Sequence, residues 1–162
     1  MNKLGKDELF SIAIKLDLPD LLAFCKSDER INQLICKRND IWRTKLNEFP
    51  NWKSFNIDKS LEETYKYLYY LDEIKEKIKL KETLLEIYNL KRLDLYNNQL
   101  TQIPGLNLPN LQELYLYNNQ LTQIPDLNLP NLQKLFLYNN QLTQIPEKLK
   151  NQKGLRISKI DL

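Results

Sequence analysis

From residue 90 onward the hydrophobic positions repeat. Leu90, Leu93, Leu95, Leu100 and Ile103 are followed by Leu111, Leu114, Leu116, Leu121 and Ile124, then by Leu132, Leu135, Leu137, Leu142 and Ile145. The opening leucines recur every 21 residues, which sets units at 90–110, 111–131 and 132–152. Self-similarity at a fixed period marks a stack in which each unit buries its apolar face against the next. Within each unit the L-x-L step alternates with period two, the pattern of a strand with one buried face. Successive short strands then pair side by side as a parallel sheet. Pro104, Pro125 and Pro146 favour an extended return over a long helix.

The same alternation places a second set of side chains on the solvent side of that sheet. These are Arg92, Asp94 and Tyr96, then Glu113, Tyr115 and Tyr117, then Lys134, Phe136 and Tyr138. The units are nearly identical elsewhere, so their differences fall where a ligand would discriminate. One column runs Arg92, Glu113, Lys134; another runs Asp94, Tyr115, Phe136. Tyr and Arg are the types enriched where binding energy concentrates. Tyrosine also has high strand propensity, so Tyr96, Tyr117 and Tyr138 stacking on one another is the competing reading of that column.

The first fifty residues carry a helical period. Leu9, Ile12, Ala13 and Leu16 fall on one helix face. Pro19 suits the first turn of a second helix, which continues through Leu21, Leu22 and Cys25. Ser27 is the candidate cap for a third helix containing Ile31, Leu34 and Ile35. Asp40 is the candidate cap for a fourth, with Trp42, Leu46 and Phe49 on one face before Pro50. Residues 51–79 read as a linker and a capping helix, opened by the Ser60–Glu63 capping box and carrying Glu62/Lys66 and Glu73/Lys77 pairs. Residues 80–89 read as a shortened repeat, and the Leu155–Ile157 run as a last strand one residue out of register. The end from Lys148, with Ile160–Leu162 last, offers little to cap the stack.

The pattern L-x-x-L-x-L-x-x-N-x-L-x-x-I-P, complete in all three units, resembles the leucine-rich repeat family. The resemblance implies a short solenoid with its parallel sheet on a concave, protein-binding face. It also implies that Asn98, Asn119 and Asn140 bridge neighbouring turns as a ladder, since Asn carries both donor and acceptor. A second resemblance covers residues 4–49. Glu8-Leu9, Asp17-Leu18-Pro19-Asp20-Leu21, Cys25-Lys26 and Trp42-Arg43 follow one another as in the F-box, with Gly5-Lys6 standing where that family has Leu-Pro. A generic helical cap on the repeats reads the same stripes. The fold class expected is α+β: an F-box-like helical bundle over 1–50, the linker and helix, then the repeat array over 80–162. The F-box resemblance implies that apolar residues among Leu9, Leu21, Leu22, Ile31 and Trp42 dock a Skp-type adaptor. The chain would then be a substrate receptor of a cullin-RING ubiquitin ligase. The alternative is a general repeat module with a helical cap.

Composition narrows the chemistry. The chain has 162 residues, no histidine, three glycines and two cysteines. Without His there is no Ser-His-Asp triad and no histidine metal ligand, and three scattered glycines write no phosphate loop. The expectation is a protein that is not an enzyme, with no cofactor and no metal. Sixteen basic and sixteen acidic residues balance over 1–88, and eight basic face five acidic over 89–162. No basic stripe forms, which argues against a nucleic-acid partner. No eighteen-residue apolar run exists to span a membrane, and the first residues lack a secretory core, so a cytoplasmic or nuclear protein is expected. In such a compartment Cys25 and Cys36 are expected as buried thiols rather than a disulfide.

Overall fold

The structure is a computed structural model and describes residues 4–158. The chain divides into two compact units, 1–72 and 73–162. The first is helical. Its elements are α1 (Lys6–Ala13), α2 (Leu18–Ser27), α3 (Glu29–Ile31), a π-helical turn (Asn32–Cys36), α4 (Asn39–Leu46), a 3-10 turn (Trp52–Phe55) and the start of α5 (Leu61–Ile78).

Local chemistry sets these boundaries. Asp17 accepts from the Asp20 amide at 2.9 Å to start α2, with Pro19 inside the first turn. The third helical segment is capped by Asp28, which accepts from the Arg30 amide, and not by Ser27. Ser27 remains in α2 and donates back to the Phe24 carbonyl. Both residues favour caps, and Asp28 wins because α2 continues one residue further. Asp40 likewise sits inside α4 instead of capping it, with Arg38 at the cap position. The capping box opening α5 is complete, since Ser60 and Glu63 exchange side-chain to backbone hydrogen bonds.

The core of this unit includes Leu9, Ala13, Leu18, Leu21, Ile35, Ile41, Trp42, Leu46, Tyr65 and Leu68, all buried. Trp42 donates its indole N–H to the Cys36 carbonyl at 2.7 Å, which satisfies its one polar atom. The Tyr65 ring lies 6.0 Å from Trp42 and 5.8 Å from Phe49. Burial, reinforced by the charge of Glu48, pushes the Tyr65 hydroxyl well above its ordinary pKa. Lys45, only 4% exposed, was not part of any apolar pattern. Its ammonium donates to the carbonyls of Ile14 and Leu16, pairs with Glu48 and lies over the Tyr65 ring. Those contacts offset the cost of a charge withdrawn from water. They also fasten the link after α1, which ends at Ala13 and leaves Ile12 38% exposed. The expected four-residue apolar face of α1 is therefore only half used.

Cys25 and Cys36 are both buried, and they form a disulfide with Cα atoms 5.9 Å apart. The thiol expectation is corrected. Eleven residues of spacing do not reveal that the last turn of α2 and the π-helical turn face each other. The wide turn brings Cys36 within the normal bridging range.

The second unit begins with the end of α5 and α6 (Leu84–Asn89), started by a Thr83–Glu86 capping box. Residues expected as a shortened repeat are thus a helix, because Thr83 and Glu86 satisfy its free N-terminal amides. Strands β1 (Arg92–Asp94), β2 (Glu113–Tyr115), β3 (Lys134–Phe136) and β4 (Arg156–Ser158) form one parallel sheet in sequential order. Leu93, Leu114 and Leu135 align across β1 to β3, and Leu135 aligns with Ile157, one residue beyond the period. The shift follows α7 (Glu147–Lys150), which replaces the extended return of the earlier units and buries Leu149. The Ile160–Leu162 end lies outside the described residues. No helix among the described residues is long and apolar enough to cross a membrane.

Closing an eleven-residue loop should make the disulfide worth about 2–4 kcal/mol to the helical unit. A urea melt with and without a strong reductant, followed by tryptophan fluorescence, should show that loss; coincident midpoints would contradict it.

Candidate protein-binding face

The strands are three residues long, yet they fix two full columns of side chains. Leu93, Leu114 and Leu135 point into the core at 3% exposure or less, so their neighbours point to solvent. On that face the rings of Tyr96, Tyr117 and Tyr138 stack with centroids 4.8 and 4.6 Å apart and planes within 13°. Tyr115 and Phe136 stack at 4.5 Å beside them, and the two columns meet edge-on at Tyr115 and Tyr117. Each such pair contributes about 0.5–1.5 kcal/mol beyond its area. The rings cover one another's faces and leave their edges as the surface between neighbours. Stacking and availability to a partner are therefore compatible.

A charged row borders the rings. Arg92 places its guanidinium 4.0 Å from the centre of the Tyr115 ring and forks onto Asp94 at 2.9 Å. Glu113 accepts from Lys134 at 2.6 Å and from the Tyr115 hydroxyl at 2.9 Å. The Lys134 hydrogen bond, then that of Tyr115, holds the Glu113 carboxyl below the usual carboxylate range. Because the folded pKa is lowered, this contribution is present above the ordinary carboxylate pKa and is lost as pH falls through the folded value. The hydrogen bond to Glu113 raises Tyr115, and desolvation between its neighbours raises Tyr117.

Behind this face lies a polar spine. The Asn119 side chain accepts from the amides of Asn98 and Leu100 and donates to the carbonyls of Leu95 and Leu116. Asn140 accepts from the Leu121 amide and donates to Leu116 and Leu137. Each thus joins its own unit to the preceding one. Asn98 is different: it is exposed, and among the described residues its side chain donates only to the nearby Tyr96 carbonyl. A helix stands where an earlier repeat would be, so Asn98 has no turn behind it to bridge. The neighbouring Gln99 adopts a left-handed backbone that Gln120 and Gln141 do not share.

A second spine was not anticipated. Asn110 donates to the Tyr88 carbonyl, Asn131 to Pro109, and Gln152 to Leu129 and Leu132. The signal was available, since these residues stand 21 apart, Asn110 and Asn131 directly before the leucine that opens the next unit. Asn131 and Gln152 thereby tie the end of one unit to a carbonyl of the unit before, and Asn110 ties the first unit to α6.

Of the residues considered for adaptor docking, Leu9, Leu21 and Trp42 belong to the core of the helical unit, at 3% exposure or less. Leu22 and Ile31 are partly exposed. The amphipathic pattern could not separate these sets, because a core stripe and a docking stripe share one period. Among the described residues no group of three or more His, Cys, Asp or Glu is arranged to hold a metal ion.

Asn119→Ala should destabilise the repeat unit by about 2 kcal/mol or more, since several buried amides and carbonyls lose their partner together. Exposed Gln120→Ala should stay within about 0.5 kcal/mol. Denaturant melts of the two variants check this, and equal midpoints would contradict the assignment.

A family model described as leucine-rich repeats in two copies matches residues 88–129 and again 109–151. No curated protein and no solved structure matches the chain. The matched residues do not extend into the N-terminal helices. Residues 88–151 thus match the leucine-rich repeat model, and repeats of that kind suggest a protein-interaction module.

Proposed function

We propose that this chain is a non-catalytic adaptor whose repeats hold a target protein against the solvent face of β1 to β3. One observation carries the reading: five aromatic rings stand pre-stacked in two columns on that face. Their side chains are already ordered, so a partner would pay less entropy on binding than flexible residues demand. Over their first fifteen residues the three units differ chiefly at the columns Arg92/Glu113/Lys134 and Asp94/Tyr115/Phe136, which suits recognition of a defined sequence.

A second reading concerns the helical unit. Exposed Leu4 and Ile12, with partly exposed Leu22 and Ile31, supply apolar surface for a Skp-type adaptor. Docking there would make the chain an F-box-like receptor, presenting its target to a cullin-RING ubiquitin ligase. The core residues Leu9, Leu21 and Trp42 would support that surface from beneath. In the simpler alternative the chain binds its target with no ubiquitin link. Co-elution of the purified chain with a Skp-type adaptor, lost in Ile12→Glu/Leu22→Glu with unchanged circular dichroism, is the result expected of the receptor. Separate elution at micromolar concentrations would favour the simple module.

For the repeat face, peptides selected on the full chain from a random displayed library provide the probe. Tyr115→Ala combined with Tyr117→Ala should weaken their binding about tenfold or more, with a circular dichroism spectrum matching the parent. Undiminished affinity in the folded double variant would overturn the reading.

A further inference from the structure

The charges bordering the aromatic columns do not cancel along their whole length. Arg92 is satisfied by Asp94 and approaches Glu113 at 4.0 Å, and Glu113 pairs with Lys134. The row continues on β4 with Arg156, the register partner of Lys134. Lys153 stands in the turn leading to that strand. Neither Arg156 nor Lys153 has a carboxylate partner among the described residues. The two surplus cations therefore collect at one end of the face.

They meet there around a groove of about 520 Å³, whose wall includes Lys134, Lys153, Arg156, Asn131, Gln133 and Gly154. No acidic residue lines it among the described residues. Gly154 adopts φ +81°, which lets the chain turn tightly into β4, and nothing stands within 4 Å of where a side chain would project. That wall is open. Lys134 belongs both to this groove and to the charged row beside the rings, so groove and aromatic face are continuous.

We propose that the groove receives carboxylates of an acidic segment of the protein partner, while neighbouring residues of that segment lie along the aromatic columns. The proposal rests on the repeat face being the binding surface and adds the chemistry of what binds. Two cations without a carboxylate partner among the described residues, with Gln133 in the same wall, complement Asp or Glu side chains. Uncompensated cations also raise the encounter rate with such a partner and make it fall with salt.

Fluorescence anisotropy of the full chain with a labelled peptide of repeated Glu-Glu-Tyr, beside its Lys-Lys-Tyr counterpart, tests this directly. The acidic peptide should bind and the basic one should not. Lys153→Glu with Arg156→Glu should weaken the acidic peptide about tenfold or more. Lys148→Glu, whose lysine pairs with Asp126 away from the groove, should leave it unchanged. Failure of the acidic peptide to bind, equal affinity in the charge-reversed variant, or tighter binding of a single-stranded oligonucleotide at the same salt would each overturn the proposal. If Tyr115→Ala/Tyr117→Ala abolishes binding but charge reversal does not, the groove assignment falls and the aromatic face stands. The reverse outcome removes the aromatic face and keeps the groove.

Discussion

The repeat unit depends on how its turns satisfy their own backbone. Strands of three residues supply few ladder hydrogen bonds, and each unit must then bend sharply away from the sheet. A buried bend with unpaired amides would cost about 1–3 kcal/mol for each group. Asn119 removes that cost at several groups together, accepting from the turn of the preceding unit and donating to carbonyls of both. Asn140 repeats the arrangement one unit on. The strand pairing sets the spacing at which the solvent-facing rings stack. The bridges behind it hold the turns of neighbouring units together.

The repeats were legible because a 21-residue period, once seen, fixes register as well as fold. Leu93, Leu114 and Leu135 had to align, and the alternation then assigned Tyr115 and Tyr117 to solvent. What the period could not show was where it stops. Asn98 reads like Asn119, yet it lacks a preceding turn and lies exposed. Beyond Pro146 the chain coils into α7, and the last strand joins one residue late. End effects of this kind come from neighbours, which a motif does not name.

The helical unit was harder to read for a different reason. Its stripes announced helices but left open which face was core, so Trp42 and Leu22 looked alike and are not. Two of its anchors are polar or covalent: the Lys45 ammonium holding the carbonyls after α1, and the Cys25–Cys36 bridge. Both depend on residues distant in sequence meeting in space. Capping was legible at Ser60, three residues before Glu63, while the same signature at Thr83 and Glu86 was hidden inside a stretch that reads as a shortened repeat. It was ambiguous where Ser27 and Asp28 competed for one helix start.

The central claim is that the proposed binding face is rigid before any partner arrives, because the asparagine spine holds the turns. Amide hydrogen exchange of the free protein, resolved by residue in NMR, tests it most directly. The amides of Asn98, Leu100 and Leu121 lie outside the strands but donate to Asn119 and Asn140. The account predicts that they exchange about as slowly as the Leu95 and Leu116 amides, which bond across the sheet. Exchange at the rate of open loops would mean that the spine does not hold, and a pre-ordered face would then be the wrong description.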